Sequence, residues 1–563
     1  ARSHAFEAGK RMGMMRRVPK KFLKMSDKTT LSFLRNGQSV YFQTLDEEVF
    51  NALSEFNHEH LDGLLSKMFG KAKSVLTWGV TLSPAFRVAN ALRDTVATGI
   101  NSPHFIPFVD SLRGMVKIIT KHPDYIAYTG SGGAFTQGYV RGHDPKAQAK
   151  YIGKLSKKKL ITFKTVYDAW QYIGDVSEMM ARVQLYSNLK KVGKSHLEAS
   201  YEAKDVMDFT MKGASKTMNT ATNMIPFMNA RIQGLYRMGR GFKDNPISFM
   251  TKGALLTIST MALWAIWKDD DRYKELPDEE KWLYHHLWNG EQHIRIPKAF
   301  EVGMLFSSVF EEMGNIQNGT EEGKHVWDFL GHAFQETLAM NPVPQLVKPM
   351  AEVFFNKNFF TGNAIEGMGD SNRSPGLRAG PWTSVALRDL GEKLNISPKK
   401  VEHVLRGYLG AVGTGLVMSA DLAYTHVAEL PDRPDMSINQ YPLVGRFLRE
   451  KVAQRTKYGT RAWEIFREVA MINSDLNYMK KNQRFGEMTD ILKNKKHKLI
   501  AYEVGKGYKR QLDSLRTTAH NIQISKTMLG SEKKQKLSKI MNRRNNIQKK
   551  MYEAMHAIIK KGE

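Results

Sequence analysis

Residues 247–271, ISFMTKGALLTISTMALWAIWKDDD, form the most apolar stretch of the chain, and any fold must find this run a place out of water. Between Ile247 and Trp267 only Lys252 is charged. The uncharged part, 253–267, would span about 22 Å as a helix, short of a bilayer core of about 30 Å. The whole run reaches that thickness if the long stem of Lys252 extends towards a headgroup. Trp264 and Trp267 at one end, with basic residues at the other, have the arrangement of interfacial anchors. The same run, with Leu255 and Leu256 at its centre, also suits a core helix buried on every side.

The segment leading into it, SKTMNTATNMIPFMNARIQGLYRMGRG (215–241), places Pro226 inside a helix-friendly run and so predicts a bend. Ala230 and Gly234 permit a neighbour to approach closely, with Arg231, Arg237 and Arg240 near the bend. No nucleophile stands beside a base there, so it reads as a seam between helices.

Elsewhere the pattern is helical, and the expected fold is an all-α, elongated multi-helix bundle that oligomerises. The exception is a short hairpin around Asn36-Gly37 in 31–53, followed by a helix that Asp46 would cap. Apolar residues then recur at helical spacing to about Lys121, with breaks at Ser83-Pro84 and Ser102-Pro103. Residues 128–145 read as a loop, and YDAWQYIGDVSEMMARVQLYSNLKKVG as a long amphipathic helix stopping near Gly193. Residues 272–345 read as helices with Trp-rich connections. The glycine-rich stretch 356–383 is too long for an ordinary loop and is expected to lie against a neighbour or sister subunit. Ser397 and Pro398 open a helix as N-cap and first residue. These breaks divide the chain into a basic arm (1–30), a hairpin with a helical subdomain (31–145), a central helical body (146–440) and a basic long-helix tail (441–563). In the tail, Ile465, Val469, Ile472, Leu476 and Met479 make a short heptad seam, and Ile547, Met551, Met555 and Ile558 a second apolar row.

Charge sharpens this division. The formal net charge is +28, and it sits at the ends: residues 1–30 carry nine Lys/Arg against two acids, and 441–563 carry 29 against 11. A basic helical end is the footprint of phosphate contact, which nominates Lys533, Lys534, Lys536, Arg543, Arg544, Lys549 and Lys550 for sequence-independent binding of double-stranded DNA. A solvated face on a merely soluble bundle gives the same composition.

Motifs for chemistry are absent. With no cysteine there are no disulfides and no thiolate nucleophiles or ligands. His285, His286 and His293 are the densest histidine group, but no carboxylate stands at zinc-protease spacing, and packing is their simpler role. Asp269, Asp270 and Asp271 are consecutive rather than spaced as calcium ligands are, and TGSGGAF (129–135) lacks the Gly-Lys-Ser/Thr ending of a phosphate loop. No catalytic residue, metal or cofactor is expected, and no enzyme activity. The opening ARSHAFEAGK has neither an initiating Met nor a signal-peptide core, as in a fragment or processed product.

Several ordered blocks carry a resemblance: LSPAFRVANALRDTV (82–96), DFTMKGASKTMNTATNMIPFMNARIQGLYR (208–237), HIRIPKAFEVGMLF (293–306), NPVPQLVKPMAEVFFNKNFFTGNAIEG (341–367), PWTSVALRDLGEKLNISPKKVEHVLRGYLGAVGTG (381–415) and YPLVGRFL (441–448). Together they resemble the helical C-terminal region of giant bacteriophage internal virion proteins and of polyvalent proteins with large polyvalent protein-associated domains. The resemblance spans roughly residues 31–450. It implies a protein housed in the virion interior and ejected with or ahead of the genome, which assembles into a conduit through the host envelope. Its implied partners are copies of itself, other internal virion proteins or the portal, and the host inner membrane. Enzymatic modules of that family lie upstream of this region, and no catalytic residue carries over. A structural core or portal-associated protein that stays in the capsid is the alternative.

Overall fold

In the computed structural model, the residues described are 15–18, 30–35, 38–44, 64–81, 83–131, 166–206, 227–319, 325–334, 343–359, 373–380, 383–427, 444–450 and 455–562, with single positions between them. The elements are β1 (Met15–Val18), β2 (Thr30–Arg35), β3 (Gln38–Thr44), α1 (Leu64–Thr81), α2 (Pro84–Asn101), α3 (Val109–Ile119), α4 (Pro123–Gly130), α5 (Val166–Lys191), α6 (His196–Asp205), α7 (Met228–Asp244) and α8 (Pro246–Trp267). There follow α9 (Asp271–Lys274), α10 (Asp278–Leu283), β4 (Tyr284–Asn289), β5 (Gln292–Pro297), α11 (Phe300–Gly303), a π turn (Met304–Ser308), α12 (Val309–Gln317), α13 (His325–Phe334), α14 (Lys348–Phe354), α15 (Val385–Leu394) and α16 (Pro398–Val427). The last elements are β6 (Leu448–Arg449), α17 (Lys457–Lys481), α18 (Phe485–Asn494), α19 (Lys496–Ile524) and α20 (Gly530–Gly562). The fold is all-α apart from two small antiparallel sheets.

Punctuation in the sequence sets most of these boundaries. Helix α1 ends before Pro84 and α2 before Ser102-Pro103, as the breaks predict. Helix α5 stops just before Gly193, whose φ of +90° suits glycine, and Ser195 with Glu198 then closes a capping box on α6. The expected hairpin forms as β2–β3, and β1, from the basic arm, pairs with the other edge of β3. The Asp46 cap lies outside the described residues, as does most of the expected 128–145 loop; Tyr128, Thr129 and Gly130 close α4.

The chain folds as two units: one of residues 1–78, 98–249 and 336–347, the other of residues 79–97, 250–335 and 348–563. In the first, α5 is the central post. Met179, Val183, Leu185 and Leu189 meet Phe105, Ile118, Tyr125 and Tyr128 on one side and Ala199 and Ala203 of α6 on the other. The backbones of α3 and α5 touch at Gly114, where an added Cβ would fall 1.9 Å from the Met180 carbonyl oxygen. In α7, Arg237 and Arg240 both donate to the buried Asp205 carboxylate at 3.0 and 2.8 Å. Gly234 is half-buried, and Gly241 of the same helix makes a close approach, its Cβ falling 2.8 Å from the Asn101 side chain. Pro226, where a bend was expected, lies outside the described residues; α7 begins shortly after it, at Met228, following Phe227 in a left-handed conformation.

In the second unit, one expectation is corrected. Within 272–345, read as helical, stands a second hairpin, β4–β5, turning at Gly290 with φ +59°. Its third strand, β6, comes from far along the chain, pairing Ile294 with Leu448 and His293 with Arg449. The glycine-rich stretch 356–383, expected to lie against a neighbour or sister subunit, also holds its own chain. Asp370, fully buried, holds Lys399 of α16 at 2.8 Å and Arg516 of α19, and Glu366 takes Arg378 at 2.9 Å. Helix α16 starts at Pro398 as expected, with the Ser397 hydroxyl accepting from the Lys400 amide. The tail forms long helices with Ala462, Phe466, Val469, Ala501, Leu512, Met551 and Met555 as a core.

Gly114→Ala is expected to destabilise the first unit by about 1–3 kcal/mol, because backbone rather than a flexible side chain blocks the new methyl. Gly239→Ala, on a helix with nothing within 4 Å of its Cβ, is expected to be neutral or slightly stabilising. Denaturant melts of the two variants check both.

Candidate membrane-facing helix and basic surfaces

Helix α8 is built inside out. Gly253, Thr257, Thr260, Trp264 and Lys268 recur at spacings of four and three and so form one stripe, which packs on the π turn and α12. At Gly253 a Cβ would stand 2.4 Å from the Phe306 ring. The Thr257 hydroxyl donates to the Phe306 carbonyl at 2.7 Å, Thr260 shares a 2.9 Å hydrogen bond with Ser307, Trp264 Nε1 donates to Asn315 at 2.8 Å and Lys268 to Asn318 at 2.8 Å. Small and polar residues therefore face inward. Outward stand Ile247, Met250, Leu255, Ile258 and Ile266, with Leu255 58% and Ile258 63% exposed. Only 17% of the helix's most apolar window is buried, which rules out the fully enclosed core helix, and the helix is long and apolar enough to cross a membrane by length and composition. Interfaces of small and hydroxyl-bearing residues, with aliphatics turned outward, are how helices pack in lipid. Leu256 is half-buried.

The C-terminal end of α8 is closed by aromatic rings. Trp267 meets Trp288 of β4 edge-on at 5.0 Å, Trp288 stacks on His293 at 4.6 Å, and the Arg272 guanidinium lies over both indoles. Asp270 caps α9 through the Arg272 amide, and Asp269 accepts from Asn318, so these aspartates serve as local caps. His286 Nε2 faces the Glu280 carbonyl at 3.0 Å, which accepts only; that nitrogen therefore carries the proton, and Nδ1 accepts from His293 Nε2 at 2.9 Å. His286 is thus neutral, with both ring nitrogens hydrogen-bonded. Burial pushes His285 down to about 3 and His293 to about 4, and His286 well below the usual range. Among the described residues no group of three His, Cys, Asp or Glu is placed to hold a metal. The space enclosed by Thr260, Trp264, Tyr273, His286 and Glu311 is about 10 Å³, one water molecule's worth.

Behind this end lies a buried charge cluster. Glu311 of α12 accepts from the Tyr273 hydroxyl at 2.6 Å and pairs with Lys298. Glu321 holds Lys281 of α10 at 3.2 Å and Lys457 and Arg461 of α17 at 2.8 Å each. Burial alone would raise the Glu321 carboxyl; Lys281, Arg461 and Lys457 outweigh it and hold it well below the usual range. Three cations around one carboxylate crowd each other, and burial together with Lys281 pushes Lys457 down to about 8. Glu312 accepts from Trp282 Nε1 at 3.2 Å, and burial raises it to about 7.

The seven basic residues nominated for DNA divide. Lys533 is fully buried, its ammonium on the Gln523 carbonyl, and Arg544 turns towards Asn545. Lys534 reaches the Met436 carbonyl at 3.0 Å, Lys536 pairs with Glu532 at 2.6 Å, and Lys549 with Glu275 at 2.8 Å. Arg543 and Lys550 alone of the seven are exposed. The reason is positional: Lys533, Leu537 and Met541 share the buried seam of α20 at spacings of four. The exposed stripe contains Lys539, Arg543, Lys550 and Lys561, at steps of four, seven and eleven; Lys539 and Lys561 were not nominated, although this spacing marks them.

Acidification is expected to destabilise the second unit. The unfolded chain takes up protons that these histidines refuse, so their contribution is complete above about pH 6.5 and lost as pH falls towards 4. Glu312 works oppositely, its raised pKa favouring the fold below about pH 4.5 and that gain fading through pH 7. Three histidines outweigh one glutamate, and the melting temperature should fall from pH 7 to 5. Glu312→Gln is expected to raise stability by on the order of 2–3 kcal/mol at pH 8 and by less at pH 5, read from thermal melts at both.

Residues 270–444, from α9 to the approach to β6, match the family described as large polyvalent protein associated domain 38. No curated protein and no solved structure matches the chain. The matched region contains the second hairpin, the Lys281, Lys298, Glu311, Glu312 and Glu321 part of the buried charge cluster and α12 against which α8 packs, while α8, the basic tail and with it Lys457 and Arg461 lie outside it. For that region the match supports a phage polyvalent-protein family.

Proposed function

We propose that the protein is an internal virion protein of a tailed phage, released with the genome, whose copies assemble into a helical conduit for DNA across the host envelope. The observation that supports this best is the inverted helix α8: its polar stripe faces α12 and its aliphatic face is turned outward. In this reading that face meets the host inner membrane, and the protein carries no catalytic step. Other internal virion proteins or the portal hold it in the virion interior before release. The stripe Lys539, Arg543, Lys550 and Lys561 tracks the phosphates of the passing duplex. The second reading is a core or portal-associated protein that remains in the capsid, with the aliphatic face of α8 covered by a neighbouring copy. Glu311, beside Thr260 and Trp264 of α8, favours it, because a carboxylate at bilayer depth is costly.

Liposome flotation of the full chain separates the two. Leu255→Asp with Ile258→Asp is expected to abolish carbonate-resistant partitioning with little change in melting temperature, since both side chains are already exposed. A parent chain that never partitions removes the membrane reading and leaves the capsid one. For DNA, Lys539→Glu/Arg543→Glu/Lys550→Glu is expected to weaken duplex binding uniformly across sequences and flatten its salt dependence by about three counterions. Fluorescence anisotropy between about 50 and 200 mM salt measures this, and an unchanged slope removes the stripe from the proposal.

A further inference from the structure

The tail bundle ends in a protruding hairpin of helices. The first turn of α19 and the last of α20 meet at His497 and Gly562, and Lys498 pairs with Glu468 of α17 at 2.6 Å. Helix α17 nevertheless continues to Lys481, about 20 Å beyond that level. Among the described elements α18 accompanies it there, turned back through Gln483, whose φ is +57°. The heptad seam records the loss of partners: Val469 and Ile472 are buried, whereas Leu476 and Met479 are half-exposed. On this finger Tyr478 is 60%, Phe485 58% and Leu492 42% exposed. Interleaved with them are Lys480, Lys481, Lys493, Lys495 and Lys496, all exposed, and residues 471–496 hold six bases against three acids.

We infer that this finger docks on the surface of an anionic lipid bilayer, with Phe485 and Leu492 entering the headgroup boundary and the lysines resting on the phosphates. Charge complementarity points to an anionic surface, and the interleaved apolar side chains select lipid over duplex DNA. A phosphate backbone rewards lysines but gives Phe485 and Leu492 nothing to bury against, whereas a bilayer surface rewards both. The contact lies parallel to the membrane, so it is distinct from spanning by α8 and is reversible by salt.

The test uses the full chain carrying Leu255→Asp and Ile258→Asp, so that α8 cannot supply the binding and failure of the membrane role of α8 leaves this measurement intact. Cosedimentation is measured with phosphatidylcholine vesicles and with vesicles containing phosphatidylglycerol. Binding is expected to the anionic vesicles only and to fall as salt rises. Phe485→Ser with Leu492→Ser should weaken it tenfold or more, as should Lys480→Glu with Lys481→Glu, both with unchanged far-ultraviolet circular dichroism. Duplex affinity should be unaffected by the Phe485/Leu492 pair. The inference is overturned if the chain ignores anionic vesicles, if the serine pair binds them as its parent does, or if that pair lowers duplex affinity and leaves vesicle binding intact.

Discussion

One buried carboxylate organises the second unit. Glu321 stands at the meeting point of α10 and α17, and it neutralises Lys281 from the first and Lys457 and Arg461 from the second. Arg461 also reaches Asp278, and Lys549 of α20 reaches Glu275, so charge pairs join the family-matched region to the tail bundle. A buried ion cluster of this kind adds little net stability, because desolvation consumes the Coulombic gain, yet removing its centre would strand three cations. Its main consequence is register: α17 can start in only one position and orientation, and the bundle that follows inherits both.

The same fixing of register explains the small sheet. Strand β6 is only two residues long, yet Arg295 donates backbone and side-chain hydrogen bonds to the Phe447 and Arg446 carbonyls and pairs with Glu280, which Arg449 also reaches. Sequence-distant chain is thus clamped to the hairpin immediately before α17 begins. With hairpin and cluster rigid, the end of α8 is held through Trp267 on Trp288, and its inner stripe through hydroxyl and amide hydrogen bonds to the π turn and α12. An outward aliphatic face on a helix tied inward by polar contacts is stable only if something apolar covers it, which is the physical reason that the proposed function turns on α8.

Helix boundaries were legible because local chemistry dictates them: Pro84, Gly193 and Ser397-Pro398 act on the backbone wherever they stand. The second hairpin was not legible, although Asn289-Gly290 is a turn signal, because its alternation is carried by His, Trp and Arg rather than by aliphatics and its third strand is remote. The contacts of the glycine-rich stretch within its own chain were illegible for a similar reason. Its anchors are single charged residues, Glu366 and Asp370, whose partners lie on α16, α19 and a nearby turn.

Charge was the least legible property, and Lys533 shows why. Composition counts it with six other bases of the tail, but helical phase places it on the same seam as Leu537 and Met541, where its stem packs and its ammonium finds a carbonyl. Phase, rather than abundance, decides which cations reach a partner. The same phase places Lys539, Arg543, Lys550 and Lys561 on one outer line of α20, while the loss of partners beyond Glu468 exposes the lysines and apolar residues of α17 and α18 together. The basic tail therefore holds two surfaces of different chemistry, a line of cations alone and a finger of cations mixed with Phe485 and Leu492, and only the second has anything to gain from the interior of a membrane interface.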